Sequence, residues 1–156
     1  MGRCGTTSLS AYIAQHPEIN ATPIKEVHYF SIAELYEQGD DYLDQHFDDK
    51  SGLKSTADTY LLLSKEAPKR IFNHNPKTKL TVLLRDPSTR TYSNYHYGIN
   101  NGYDRSGVSF LDSLEHEKQY LDEGIILKNN LCHFEGSLYH KLLENWLEYF
   151  PKDQIQ

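Results

Sequence analysis

The sequence predicts an α/β domain whose parallel sheet is flanked by helices. Two uncharged segments, Ala21 to Ile24 and Leu80 to Leu84, have the length of strands and alternate with segments at helical spacing. The 156 residues fit one ordinary domain that can bury a core. No internal repeat, low-complexity tract or Gly/Ser linker divides the chain, so one domain over residues 1–156 is expected. In such a fold, ligands bind where strands turn into helices.

Each element follows from a local pattern. The first helix is expected over Gly5 to Gln15, because apolar residues recur there at helical spacing and His16-Pro17 stops it. Residues 80–84 carry no charge and include the β-branched Thr81 and Val82, which is typical of a buried strand. Residues 100–107 are polar and glycine-rich and predict a loop. Further helices are expected over Ser31 to Gln38, Asp41 to Phe47, Ser64 to Asn73, Asp86 to Tyr97, Val108 to Asp122 and Glu135 to Tyr149.

Composition excludes several classes of protein. No apolar run approaches the ~18 residues of a membrane-spanning helix. The first residues lack the apolar stretch of a signal peptide. A net charge of −6 argues against broad nucleic-acid binding, so no nucleic-acid partner is expected. Two cysteines cannot form a disulfide framework, and no histidine spacing is typical of a metal site. We therefore predict no metal.

The first candidate site is the small-residue turn over residues 2–9, which leads into the first helix. Backbone N–H groups at a helix N-terminus suit a phosphate. Hydroxyl donors follow at Thr6, Thr7 and Ser8, and Arg3 adds a fixed charge. A Walker A loop is excluded because no Gly-Lys-Ser/Thr triplet is present. The alternative is a structural N-cap at Thr6 or Thr7.

The second candidate site follows the strand at residues 80–84. Arg85 stands at the strand's end, where open α/β sheets bind ligands. Ser93 comes about two helical turns later, so both side chains could donate to one phosphate. The alternative is a local Arg85–Asp86 pair, with Arg90 covering the surface.

The third candidate site is the segment over residues 25–30. If this segment is extended, Glu26 and His28 share one face. A carboxylate beside an imidazole can act as a general base with a helper. The alternative is a Lys25–Glu26 surface pair and a hydrogen-bonded histidine.

Taken together, these segments resemble the sulfotransferases that use 3′-phosphoadenosine 5′-phosphosulfate (PAPS), in particular the heparan-sulfate glucosaminyl 3-O- and N-sulfotransferase branch. The resemblance spans nearly the whole chain and implies a three-layer P-loop-type fold. Four segments carry it, in the family's order: Arg3-Cys4-Gly5-Thr6-Thr7-Ser8-Leu9, Lys25-Glu26-Val27-His28-Tyr29-Phe30, Leu83 to Tyr95, and Leu138-Tyr139-His140 with Asn145-Trp146-Leu147-Glu148-Tyr149-Phe150-Pro151.

The resemblance implies a role for each matching residue. Glu26 would be the general base on the acceptor, supported by His28. Arg3 stands where many members have a catalytic lysine; it can stabilise the leaving oxygen but cannot donate a proton. Lys54 would be a further catalytic residue, although it matches the corresponding family segment only with a gap. Residues that would bind PAPS are Arg3, Cys4, Gly5, Thr6, Thr7 and Ser8 at its 5′ end, and Arg85 and Ser93 at its 3′-phosphate.

The implied reaction is metal-free sulfuryl transfer to a hydroxyl or amine of a glycan or small metabolite. Ser31 replaces an acid that often follows the Phe-Phe pair of the 3-O branch, which weakens a heparan-sulfate assignment. The net charge favours a neutral sugar or small hydroxylated metabolite over a polyanion. The rival interpretations are a non-catalytic nucleotide-binding relic and a P-loop kinase of small molecules.

The family pattern also predicts that this chain is the middle of a longer domain. Family members place a strand before the glycine turn and continue past Phe150-Pro151 into another strand. Missing strands would leave sheet edges unpaired and lower stability and activity. The compartment stays open between the cytoplasm of a bacterium and the Golgi lumen of a eukaryote.

Overall fold

The computed structural model describes residues 1–103, 107–123 and 132–156. The described strands are short and helices dominate. The elements are α1 (Thr6–Ile13), β1 (Ile19–Ala21), α2 (Ala33–Tyr36), α3 (Asp40–Asp44), β2 (Leu53–Ser55), α4 (Ala67–His74), α5 (Pro87–Asn100), α6 (Phe110–Asp122) and α7 (Tyr139–Leu147), with short 3₁₀ turns at Leu61–Leu63, Glu135–Ser137 and Lys152–Gln154. None of these helices is long and apolar enough to span a membrane.

The chain forms two compact units. The first consists of Met1–Leu83 with Glu144–Gln156, and the second of Leu84–Leu143. In the first unit, β1 pairs with β2 in parallel, with Asn20 opposite Lys54. A second parallel pairing joins Leu80 to Ile155. Helices combined with parallel pairing confirm the predicted α/β class.

Two predicted strands differ from the structure. The first lies earlier than the expected Ala21 to Ile24, because only Ile19–Ala21 pairs with β2. Residues 80–84 do not form a buried strand: Val82 is half-buried and the Leu84 side chain is 42% exposed. Among the described residues this segment pairs only with residues 154–156, so it belongs to a two-stranded pairing and not to the interior of a larger sheet.

The core of the first unit is rich in aromatic side chains. The Tyr29 and Phe30 rings meet edge to face with centroids 4.8 Å apart, and the Trp146 and Phe150 rings stack at 6.2 Å. The Tyr29 hydroxyl donates to Asp40 Oδ1 at 2.9 Å, which secures the start of α3. The segment after Glu26 is therefore anchored by two buried rings.

The second unit is organised around two buried charged side chains. Glu117 of α6 accepts from the backbone N–H groups of His133, Phe134 and Glu135 at 3.0, 2.8 and 3.0 Å. Arg90 of α5 is only 1% exposed and donates to the carbonyls of Cys132 and His133. The alternative in which Arg90 covers the surface is therefore wrong, because residues 132–137 fold over it.

The helices of the structure match the expected helices in number and in approximate position, but their first and last residues differ. α5 begins as expected at Asp86-Pro87, where the Asp86 side chain accepts from Thr89 N at 2.9 Å. The expected last helix is divided into a 3₁₀ turn and α7. Residues 104–106 of the expected loop, including Asp104 and Arg105, lie outside the described residues.

Candidate active site

Backbone N–H donors at the start of α1 have no partner among the residues that the structure describes. Gly5 is the N-cap residue, with φ 86, and it makes no side-chain cap hydrogen bond. The alternative interpretation is right that the helix starts at Thr6, but the N-cap residue is Gly5 and neither threonine caps the helix. Among the described hydrogen bonds, none uses the N–H of Thr6, Thr7 or Ser8. Three N–H groups at a helix N-terminus are donors of the kind that suits an anion, and the predicted anion site stays a prediction.

The flanks of this turn carry a cation and a thiol. Arg3 is exposed and has φ 67, which is uncommon for a residue with a side chain. The Cys4 thiol is half-buried and lies 3.6 Å from the carbonyl of Gly2. Gly2 also adjoins Thr59, since a Cβ added at Gly2 would lie 4.0 Å from Thr59 Cβ. The start of the chain therefore borders the segment that contains Thr59.

Glu26 is held by hydrogen bonds at both carboxylate oxygens. Thr59 N donates to Oε2 at 2.8 Å, and the Thr59 hydroxyl lies 3.0 Å from both oxygens. Lys25 Nζ lies 2.6 Å from Oε1. The alternative of a merely local Lys25–Glu26 pair is incomplete, because Thr59, 33 residues later, holds the same carboxylate.

The two acids of this cluster, Glu26 and Asp58, have pKa values shifted in opposite directions. Burial raises the pKa of Glu26, but the hydrogen bonds from Lys25 and Thr59 and the charge of Lys25 lower it, and the pKa lies below its ordinary value. Burial raises the pKa of Asp58 above its ordinary value, with the neighbouring Glu26 adding to the rise. Of the two carboxyl groups, Glu26 is therefore the one that stays ionised at lower pH.

His28 faces the same cluster through one ring nitrogen. Its Nδ1 lies 3.2 Å from Asp58 Oδ2 and 3.3 Å from Ser31 Oγ. The ring stacks on Tyr60 with centroids 4.8 Å apart. Asp58, His28 and Glu26 place one ligand-type atom each within 4.8 Å of one another. Donors from Lys25, Thr59, Ser31 and the backbone already occupy the carboxylates, so the geometry is that of a hydrogen-bonded cluster; absence of a metal stays a prediction.

The expected extended geometry of residues 25–30 is wrong. Glu26 and His28 have φ 67 and 60, so the segment turns at both residues and strand alternation does not bring them together. Asp58 is the side chain between them. In the described chain, the non-glycine residues with positive φ are Arg3, Glu26 and His28. Such strain concentrates at functional sites, and all three residues were predicted to act in catalysis.

Asp58 and Thr59 are the residues that sequence reasoning missed. Both lie more than thirty residues after Glu26, so no local motif connects them to it. The sequence pointed to them only through the segment from Lys54 to Tyr60, which matches a family segment with a gap. Lys54 itself is not brought to Glu26: its Nζ lies 2.5 Å from Asp44 Oδ1 and 5.0 Å from the centroid of the Phe47 ring. Its catalytic role stays a prediction without a contact to support it.

The 3′-phosphate candidates lie in the second unit. Arg85 is exposed just before α5, and Ser93 is half-buried within that helix. The alternative Arg85–Asp86 ion pair does not occur among the described residues. Asp86 caps α5 instead, so the Arg85 guanidinium is not neutralised by its sequence neighbour.

Comparisons with known proteins point to one family. The family described as "Sulfotransferase domain" matches residues 1–156. The chain is 26% identical to heparan sulfate glucosamine 3-O-sulfotransferase 5 of Mus musculus over 97% of its own length and 43% of that protein's. It is 27% identical to heparan sulfate glucosamine 3-O-sulfotransferase 3B1 of Homo sapiens, again over 97% of this chain and 37% of the relative. The chain thus spans less than half the length of these curated relatives.

A solved structure extends the likeness to the fold. The crystal structure of a sulfotransferase from Alicyclobacillus acidocaldarius superimposes with a TM-score of 0.84 at 25% identity, and the match covers 99% of this chain and 68% of the other.

Proposed function

Since the chain belongs to the sulfotransferase domain family, we propose that it transfers a sulfuryl group from PAPS to a hydroxyl or amine of a carbohydrate or small hydroxylated metabolite. One observation carries this proposal above the others. The N–H groups that begin α1, which have no partner in the described part of the chain, follow a turn whose Gly2 adjoins Thr59, and Thr59 holds the Glu26 carboxylate. An anion site and a fixed carboxylate therefore belong to one local structure.

The residues of the first unit fit the 5′ end of the donor. The N–H groups of Thr6, Thr7 and Ser8, with the hydroxyls of the same residues, provide donors for phosphate and sulfate oxygens. Gly5 permits the turn with its positive φ, and Cys4 and Arg3 complete the segment. Arg3 would stabilise negative charge on the leaving oxygen, since a guanidinium stays charged at all relevant pH values.

Arg85 and Ser93 are proposed to bind the 3′-phosphate of the donor. A guanidinium forms two parallel hydrogen bonds with a phosphate, and a serine hydroxyl can add another. The absence of an Arg85–Asp86 ion pair supports this role, because a neutralised guanidinium would bind phosphate less strongly.

Glu26 is proposed as the general base and His28 as its support. PAPS supplies an activated sulfuryl group with a good leaving group, so the protein has mainly to position the acceptor and remove its proton. The acceptor oxygen or nitrogen forms a bond to sulfur while the bond from sulfur to the 5′-phosphate oxygen breaks. The proton passes to Glu26, and 3′-phosphoadenosine 5′-phosphate (PAP) leaves with the electron pair. A positioned base contributes ~10²–10⁴-fold to such a step.

A neutral glycan or small metabolite is the proposed acceptor class. The named relatives act on heparan sulfate glucosamine, which supports a carbohydrate. The net charge of −6 opposes tight binding of a long polyanion. A non-catalytic nucleotide-binding role is the alternative that the Arg3 position favours, since arginine cannot supply a proton there.

The test is transfer of labelled sulfate from PAPS, using the protein with neutral oligosaccharides, small hydroxylated metabolites and desulfated or intact heparan sulfate in separate reactions. We expect label on a neutral acceptor. Binding of PAP with no transfer to any acceptor would favour the non-catalytic role. Two results together would overturn the assignment. The protein would bind ATP only with magnesium, and it would bind PAP no more tightly than the same nucleotide without the 3′-phosphate.

A further inference from the structure

Asp58 is the most buried of the three side chains that meet at the proposed base, Glu26, His28 and Asp58. Its side chain is 4% exposed, whereas those of His28 and Glu26 are 22% and 28% exposed. Both of its oxygens accept hydrogen bonds: Oδ1 from Tyr60 N at 2.7 Å and Oδ2 from the Ser31 hydroxyl at 2.5 Å. A carboxylate fixed at both oxygens presents a constant acceptor to its third neighbour, the His28 imidazole.

The hydrogen-bond network determines which nitrogen of His28 carries hydrogen. The Ser31 hydroxyl has one proton, and the 2.5 Å contact assigns it to Asp58. Both groups next to Nδ1, the Asp58 carboxylate and the Ser31 oxygen, are then acceptors. Nδ1 must therefore carry hydrogen, and in the neutral ring Nε2 keeps its lone pair.

Nothing else in the described residues competes for that lone pair. Among the described residues, the His28 ring contacts Ser31 and Asp58 through Nδ1 and stacks on Tyr60. Nε2 has no hydrogen-bond partner in the described part of the chain. A ring fixed on one side by a carboxylate, stacked on an aromatic ring and unpartnered at its outer nitrogen can accept a hydrogen bond from a ligand.

We propose that Asp58 is a positioning residue for the sulfuryl transfer: together with Ser31 it holds His28 Nδ1–H and fixes the tautomer in which Nε2 accepts a hydrogen bond from the acceptor. The group that donates to Nε2 is the second hydrogen of a reacting amine or a hydroxyl next to the one that reacts, so the proton of the reacting group stays available to Glu26. This inference rests on the proposed function. His28 then orients the acceptor so that its proton is directed to Glu26. Asp58 touches neither substrate and acts through His28.

Asp58→Asn reverses the hydrogen-bond direction at His28. The single oxygen of asparagine must stay at the Oδ1 position, where the Tyr60 N–H needs an acceptor. The NH₂ group then takes the Oδ2 position and donates toward Nδ1. His28 changes to the tautomer with hydrogen on Nε2, which can no longer accept from the acceptor molecule.

The experiment reads the tautomer and the rate separately. Long-range ¹H–¹⁵N spectra of the histidine-labelled protein, recorded above the ordinary imidazole pKa, distinguish a ring nitrogen with hydrogen from one with a lone pair. The His28 signal is assigned by its loss in His28→Gln. We expect the Nδ1–H tautomer in the wild type and the Nε2–H tautomer in Asp58→Asn. The kcat of Asp58→Asn should fall by about 10- to 100-fold, a part of the effect of a positioned base, with affinity for PAP unchanged.

Two further variants make the test specific. Asp49→Asn is the matched control, because Asp49 is exposed and its side chain makes no described contact; it should leave the tautomer and kcat unchanged. Ser31→Asp combined with Asp58→Ser moves the carboxylate across the same 2.5 Å contact, and it should restore the Nδ1–H tautomer and part of kcat. This double variant also decides the proposal if Asp58→Asn does not fold.

An unchanged His28 tautomer in Asp58→Asn, or an unchanged kcat despite a changed tautomer, would overturn the proposal. The Nε2–H tautomer in the wild type would overturn it as well. The proposed function fails separately, if the wild type shows the expected tautomer but transfers no sulfate to any acceptor.

Discussion

The Thr59 hydroxyl lies 3.0 Å from each carboxylate oxygen of Glu26, and the Thr59 N–H donates to one of them at 2.8 Å. Thr59 thereby fixes the orientation of a carboxylate 33 residues earlier in the chain. Because Gly2 adjoins Thr59, the same residue connects the proposed base to the proposed anion site. Its place between the two supports a reaction in which an anionic donor and a base act together.

Glu26→Gln is expected to reduce sulfuryl transfer by about 10²–10⁴-fold while PAP binding stays within twofold. The amide keeps the size of the side chain but cannot take a proton. Radiolabel transfer measures the rate, and calorimetry measures the affinity for PAP. Glu34→Gln, at an exposed position of α2, is the control and should retain activity. Normal turnover in Glu26→Gln would show that another group is the base.

Lys25→Met is expected to shift the acidic limb of the kcat/KM profile to higher pH. The Lys25 ammonium, 2.6 Å from Glu26, lowers the pKa of that carboxyl, and its loss raises the pKa. A base must be deprotonated to act, so the variant loses activity at a higher pH than the wild type does. Lys69→Met, at an exposed position of α4, should leave the profile unchanged. A limb that stays in place would remove Lys25 as the charge partner of the base.

Arg85→Ala is expected to weaken PAP binding by about 10- to 100-fold, because charge-assisted hydrogen bonds contribute ~1.5–3 kcal/mol. Adenosine 5′-phosphosulfate, which lacks the 3′-phosphate, should bind wild type and variant equally. Calorimetry with both nucleotides measures the difference, with Lys77→Ala as an exposed control. Equal loss for both nucleotides would place Arg85 away from the 3′-phosphate.

Glu117→Gln is expected to lower the free energy of unfolding by about 1–3 kcal/mol. Glu117 accepts three backbone N–H groups through two oxygens, and glutamine keeps only one oxygen. Urea unfolding measures the loss. Glu115→Gln, at an exposed position of the same helix, should change stability little.

The pH dependence of this difference has a definite sign. Burial raises the pKa of Glu117 in the folded protein, so the folded state binds its proton more tightly than the unfolded state does. The resulting stabilisation is complete below the unfolded-state pKa and is lost as pH rises through the folded-state pKa. The stability advantage of the wild type over Glu117→Gln should therefore shrink across that interval, and an advantage that grows would contradict the raised pKa.

Local sequence patterns determined much of the helical framework and the candidate residues. Asp86-Pro87 predicts the start of α5 because a side-chain cap and a proline at the first position act within one turn. The glycine turn predicts the start of α1 on similar grounds, although Gly5 rather than a threonine is the N-cap. The order of the motifs pointed to the family that matches residues 1–156.

The tertiary structure alone decided how these residues meet. Glu26 and His28 were expected to share a strand face, but positive φ values turn the chain at both, and Asp58 and Thr59 approach from about thirty residues away. Arg90, which one alternative placed at the surface, is buried under residues 132–137. Such contacts depend on chain closure between distant segments, whereas propensity and capping act over a few neighbouring residues. The sequence could therefore name Glu26 and His28, but only the folded chain could join them through Asp58.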